Sequence, residues 1–264
     1  MHCIAECGKQ YGLSLNWTKV EQMAVQCEAA CITDPHGQAI QSKSSLKYLG
    51  AQLAANGQVE SEVLRKIGLA ASDFRTLRRI WQHCNISIRF KFIVFQACII
   101  QKLLYSLESA WLNKALLRQL DGFYCRCLRQ ILKISPSFIS RVSNRYVLEK
   151  FSSMSLSDLL LRRQLKLFGD VVRLPPCVLR RTVFKDHSID LIDHHQRRRG
   201  RPRNSWASEL LKHVRIIAAN AHSDIMQIIM NKKSWDTKMH QYTGHNSDQS
   251  LLYAIYIIIF RNMW

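Results

Sequence analysis

Acidic residues are scarce in this chain: 19 Asp and Glu stand against 38 Lys and Arg over 264 residues. The carboxylates are also scattered, so a two-metal phosphoryl-transfer centre, which needs them clustered, finds no obvious place. No G-x-S-x-G nucleophile elbow, no phosphate-cradling glycine loop and no H-E-x-x-H pair occurs. Ser, His, Asp and Cys are all present, so composition alone leaves nucleophilic catalysis open, but no arrangement sets it up. Proline and glycine are few, at 5 and 10, and 47% of residues are hydrophobic, which argues against disorder throughout. A basic start followed by an apolar core, the mark of a signal peptide, is missing. The apolar tail Leu251–Phe260 runs only ten residues before Arg261, well short of the roughly 20 that a membrane span needs.

Nine cysteines, an odd number dispersed through a large chain, point to reduced thiols in an intracellular protein. Cys3-x3-Cys7 and Cys27-x3-Cys31 have a spacing that zinc sites permit. The first pair, however, sits at helical spacing and the second runs out of an extended segment, so neither has the tight turn that presents a Cys pair to zinc. These cysteines are expected to be small buried hydrophobes, and His187, His194 and His195 to lie in a polar loop rather than at a metal.

The charge is uneven. Residues 1–60 carry four Lys and Arg against five acids, whereas residues 61–264 carry 34 against 14. A net charge of +19 of that distribution favours a polyanionic partner, because each cation that neutralises a phosphate releases condensed counterions. Nucleic acid is the first choice. A solvated cationic surface with no specific partner and an anionic membrane surface are the alternatives, the latter weakened because no long helix opposes an Arg/Lys face to a Trp/Phe/Leu face.

The patterning predicts a mostly α fold, a helical bundle hung on the edge of a small, incomplete antiparallel sheet. Residues 1–57 read as a short helix and two extended runs, Gln22–Cys27 and Ser45–Leu53, separated by a turn at Asp34-Pro35-His36-Gly37. From Glu60 the period becomes helical: Val63, Ile67, Ala70, Phe74, Leu77 and Trp81 form one apolar stripe. Ile88–Trp111 is apolar almost all round, as in a buried helix. A third helix over 114–134 turns Leu116, Leu120, Phe123, Cys127 and Ile131 inward and leaves Arg118, Arg126, Arg129 and Lys133 outward, with Ser135-Pro136 as its stop. Ser155 and Asp158 open another helix to about Val172, closed by Pro175-Pro176. A last one runs from Trp206 to about Ala219 with Asn204 or Ser205 as cap. Domains are accordingly expected at 1–57, 58–135 and 136–220, with 221–264 unassigned.

Five arginines fall in the seven residues Arg197-Arg198-Arg199-Gly200-Arg201-Pro202-Arg203. Gly200 and Pro202 keep such a run extended, so its guanidinium groups can splay along a phosphate backbone or enter a narrow minor groove. The Gly-Arg-Pro core resembles an AT-hook, and a basic cluster of this kind also serves as a nuclear import signal. The plain reading is a solvated charge run joining two helices.

Taken in order, the motifs resemble one family. Gly12-Leu13-Ser14-Leu15-Asn16-Trp17-Thr18-Lys19 is similar to motif D of the reverse transcriptases of non-LTR (LINE-type) retrotransposons, and Lys47-Tyr48-Leu49-Gly50 looks like the primer-grip motif E. Leu120 to Leu132 resembles the thumb signature L-D-x-F-x-x-R-C-L-R-x-I-L. Ser143-Asn144, Leu159–Leu165, and Arg198–Arg203 with Trp206 continue the pattern. The resemblance spans about residues 8–215. One departure is Asp170, where relatives usually carry a His after the glycine. Another is that the catalytic Y/F-A-D-D motif, expected just before residue 1, is not in the sequence.

The resemblance thus implies a truncated palm and thumb, an RNA-directed DNA polymerase piece that is not an enzyme on its own. It needs no cofactor, since Mg²⁺ belongs to the parent's missing aspartates. Lys19 stands where motif D's lysine assists the leaving pyrophosphate, a role without use here. What is expected to survive is grip on RNA, DNA or their hybrid, through Tyr48, Leu49, Gly50, Arg78, Arg79, Arg126, Arg129, Arg197, Arg198, Arg199, Arg201 and Arg203. The alternative is a structural or AT-hook-like DNA-binding protein that uses only the arginine run.

Overall fold

The computed structural model describes residues 2–25, 27–28, 31–34, 37–82, 85–185, 189–191, 205–221 and 224–243. The arginine run 197–203 and His187, His194 and His195 lie outside them. The described chain is mostly helical, with one two-stranded antiparallel sheet. It divides into two units, 1–62 and 63–264.

The first unit opens with α1, His2–Lys9. Gly12, at φ +71°, ends it: the Leu13 N–H donates to the Gly8 carbonyl and the Gly12 N–H to that of Lys9, both at 3.0 Å. This paired closure needs a left-handed residue, which glycine supplies without a Cβ clash. The turn expected at Asp34 is present, with the Gly37 N–H on the Asp34 carbonyl at 3.1 Å and a Thr33–Ala39 bridge behind it. The described residues of Gln22–Cys27, expected as a strand, form none and make a single bridge, from Gln22 to Ser42. Nor is Ser45–Leu53 one strand. It is a hairpin of β1, Ser45–Tyr48, and β2, Ala51–Ala54, in the register Tyr48↔Ala51. Leu49 and Gly50 turn it with φ +46° and +84°. A two-residue turn with both φ positive suits the right-handed strand twist, and Asn or Asp is its usual first residue. Leucine there hides the turn from a sequence reading. From Cys3 to Ser61 no described side chain is fully buried, so this unit has little core of its own.

The predicted stripe, which lies in the second unit from Val63 on, is shared by α2 (Glu60–Thr76) and α3 (Arg78–Gln82) and broken at Leu77. Val63, Ala70, Phe74 and Trp81 are buried. The break folds Trp81 back onto Phe74, with ring centroids 5.2 Å apart and the indole N–H donating to the Phe74 carbonyl at 2.9 Å. Next come α4 (Ile88–Phe95), capped by Ser87, a π turn over Gln96–Ile100, and α5 (Gln101–Leu104). The helix expected to reach Trp111 therefore stops seven residues early. Ser106 at φ +64° redirects the chain, and the buried Lys66 ammonium takes the Tyr105 carbonyl at 2.6 Å. Residues that are apolar on every side carry no mark of where a helix ends.

Helix α6 (Lys114–Ile131) starts on the Asn113 side chain, which accepts the Leu116 N–H at 2.9 Å, and buries all five residues expected to point inward. Lys133, left-handed at φ +57°, closes it: the Ile134 N–H reaches the Arg129 carbonyl at 2.9 Å and the Lys133 N–H that of Gln130 at 3.2 Å. Two short helices follow, α7 (Ser137–Ser140) and α8 (Asn144–Lys150). Ser155 then caps α9 (Leu156–Arg173), accepting the Asp158 N–H at 3.1 Å. Both carboxylate oxygens of Asp121 take the Ser157 N–H and hydroxyl at 2.8 Å, tying the start of α9 to α6.

The remaining helices are α10 (Val178–Arg181), α11 (Trp206–Ala221), α12 (Ile225–Met230) and α13 (Lys232–Tyr242). Ser205 is the cap of α11, accepting the Ser208 N–H at 3.2 Å. Helix α9 is the hub, packed by α6 and by α10 to α13. Its Phe168 meets the rings of Phe184 and Trp206, and the buried Trp235 of α13 lies across Gly169 and donates its indole N–H to the Leu165 carbonyl at 3.2 Å.

Candidate nucleic-acid interface

On α6 the apolar stripe fixes which residues face solvent. The exposed positions are Lys114, Ala115, Arg118, Gln119, Arg126 and Gln130, with Lys133 just beyond the last turn. Its one acid, Asp121, is half-buried and engaged by Ser157. Among the described residues none of the four cations has an ion-pair partner; Arg126 rests its Nε–H on the Gly122 carbonyl at 3.4 Å. At 1.5 Å rise per residue, Lys114 to Arg126 covers about 18 Å of helix. The result is an elongated cationic, acid-free face, suited to a row of phosphates.

Arg129, expected to point outward beside Arg126, does not. It is 5% exposed, and its Nη2 donates to the Val142 carbonyl at 2.7 Å and to Asn144 Oδ1 at 2.9 Å, while Nη1 has no partner among the described residues. Helix phase leaves position 129 between Arg118 and Arg126, opposite the apolar stripe, so its burial comes from the Val142–Asn144 stretch that covers it. The long arginine stem packs there and the guanidinium fastens the loop between α7 and α8.

Arg78 and Arg79 of α3 are exposed, Arg78 donating to Gln82 Oε1 at 2.7 Å. In the first unit, Tyr48 and Leu49 are 61% and 73% exposed at the hairpin tip beside Gly50. Lys19 ends a short 3-10 helix, Trp17–Lys19. Arg197, Arg198, Arg199, Arg201 and Arg203 fall outside the described residues. Asp170, at the position where the family resemblance departs, pairs at 2.5 Å with Arg173, whose other nitrogen holds the Ile229 carbonyl at 2.8 Å.

No family model, curated protein or solved structure matches this chain. The reading of the site therefore rests on its residues.

Two expectations about cysteine change. Cys3, Cys7, Cys27 and Cys31 are exposed rather than buried, because the first unit has too little apolar mass to cover them. Among the described residues no group of three or more His, Cys, Asp or Glu is placed to hold a metal ion. Among the described residues the buried thiols are Cys125 and Cys127 of α6, and burial pushes the Cys127 thiol up to about 12. No helix of the described residues is long and apolar enough to cross a membrane.

Sequence reasoning missed Lys114, which needed only the helix phase of its neighbours. It also missed the surface of α7 and α8, where Phe138 is 74% exposed and Tyr146 45%. Segments of four and seven residues are too short to show an apolar period.

Proposed function

We propose that this chain binds nucleic acid through phosphate contacts, as the part of a non-LTR retrotransposon reverse transcriptase that follows the catalytic aspartates, and that it has no polymerase activity alone. The single observation that carries the binding reading is the acid-free face of α6 with Lys114, Arg118, Arg126 and Lys133. In support, the thumb-like sequence Leu120–Leu132 forms most of that helix, and Tyr48 and Leu49 stand exposed on a hairpin tip, the position a primer grip would need. A duplex, DNA or RNA–DNA hybrid, is the expected partner. An intracellular setting follows from the reading, and a nuclear one from the arginine run.

Fluorescence anisotropy on a mixed-sequence DNA duplex across a salt series tests this. The wild-type chain is expected to show a steep loss of affinity with salt, and Arg118→Ala with Arg126→Ala to make the log–log slope shallower by about 1.8, the share of two phosphate contacts. An unchanged slope would remove α6 from the interface. Selective binding to AT-rich duplex, abolished by Arg199→Ala and Arg201→Ala, would instead favour the AT-hook-like reading. Templated extension of a primer by the purified chain with Mg²⁺ and dNTPs would refute the claim of no activity.

A further inference from the structure

The segment that follows α6 presents rings to solvent where a charged linker would be unremarkable. Phe138, on α7, is 74% exposed, and Tyr146, on α8, is 45% exposed. Cations surround them: Lys133 and Arg141 sit at the two ends of the segment containing α7, and Arg145 and Lys150 lie on α8. Glu149 is the only acid between residues 133 and 150, and it is taken by Arg145 at 2.9 Å. The Lys150 ammonium lies 5.2 Å from the centroid of the Tyr146 ring. The loop joining the two helices is held from beneath by Arg129, through the Val142 carbonyl and Asn144.

Resting on the nucleic-acid reading above, we infer that α7 and α8 form a stacking platform for single-stranded nucleic acid that adjoins the duplex-binding face of α6, with Lys133 common to both. A ring open to solvent stacks on an unpaired base of any sequence, whereas bases inside a duplex already have their faces covered. The paired ring and ammonium at Tyr146 and Lys150 would seat a base and place its phosphate beside a cation. A net charge of +3 over residues 133–150 makes an acidic-strand occupant complementary and a basic or neutral apolar partner less so. The two surfaces together fit a junction, with duplex along α6 and an unpaired strand over α7 and α8.

The test compares the full chain with two double variants on fluorescein-labelled dT15 and on a mixed-sequence duplex of equal length. Phe138→Leu with Tyr146→Leu keeps apolar bulk but removes both rings. It is expected to bind dT15 at least tenfold more weakly with an unchanged salt slope, and the duplex within twofold of wild type. Arg118→Ala with Arg126→Ala is expected to show the opposite preference. Phe138→Tyr with Tyr146→Phe restores the rings and should match wild type, which separates stacking from a loss of fold. The inference is overturned if dT15 binding ignores the rings, if both ligands weaken equally, or if the leucine variant instead abolishes self-association in sedimentation. Failure of wild type to bind either ligand would sink the wider nucleic-acid reading as well. Loss of duplex binding in the α6 variant, with dT15 indifferent to the rings, would overturn the platform alone.

Discussion

Replacing Gly169 by alanine should destabilise the second unit, although glycine in a helix interior is ordinarily worse than alanine by up to about 1 kcal/mol. An added Cβ would lie 2.4 Å from Trp235 Nε1, 2.8 Å from its Cδ1 and 3.1 Å from an Arg173 nitrogen. The indole has little room to retreat. It is 1% exposed, and its N–H is committed to the Leu165 carbonyl at 3.2 Å. Overpacking a tight core costs about 1–3 kcal/mol, and displacing the indole sacrifices a buried hydrogen bond worth about 1 kcal/mol. Set against the gain in helix propensity, the net loss is roughly 1–3 kcal/mol. For a unit of this size that lowers the melting temperature by about 3–10 °C. Gly122 of α6 supplies the control, since a Cβ there meets nothing within 4 Å. Gly122→Ala should raise stability by up to about 1 kcal/mol. Thermal and urea unfolding of the two variants settle the matter. If Gly169→Ala stabilises as Gly122→Ala does, Trp235 is not packed across α9 and the arrangement of α13 is refuted.

Arg129→Met keeps the stem but strips two hydrogen bonds, leaving the Val142 carbonyl without its donor; a loss of about 1–3 kcal/mol is expected from urea unfolding, and a neutral outcome would return Arg129 to the surface. Thiol chemistry should divide the cysteines: Cys3, Cys7, Cys27 and Cys31 react with an aromatic disulfide reagent in the folded chain, while Cys125 and Cys127 wait for denaturant. Because burial holds the Cys127 thiol at about 12 against an ordinary value of 9.0, its contribution to stability is complete below pH 9 and lost as pH climbs towards 12. Unfolding midpoints should fall across that window, less steeply in Cys127→Ala.

Much of the helical part was legible in the residues because periodicity and caps agreed. Ser155 and Asp158 opened α9, Ser205 opened α11, and the stripe from Leu116 to Ile131 set the phase of α6. What was illegible has local causes. A left-handed leucine at position 49 hid a hairpin, and a left-handed serine at position 106 cut a helix within an unbroken apolar run. At Arg129 a residue type that usually means surface was recruited to fasten a loop. Of the candidate interface, the sequence offered Arg118, Arg126 and Lys133; Lys114 required the helix phase, and the exposed rings of α7 and α8 required the fold itself.

Lys133 and Arg141 both hold left-handed backbone, at φ +57° each, in places where glycine would relieve roughly 1 kcal/mol apiece. A screen that ranked substitutions by thermal stability would therefore choose glycine at both. It would improve the fold while deleting the two positive charges that flank α7. In this stretch, hardiness and affinity for a polyanion are opposing selections, and a variant library sorted on one should drift away from the other.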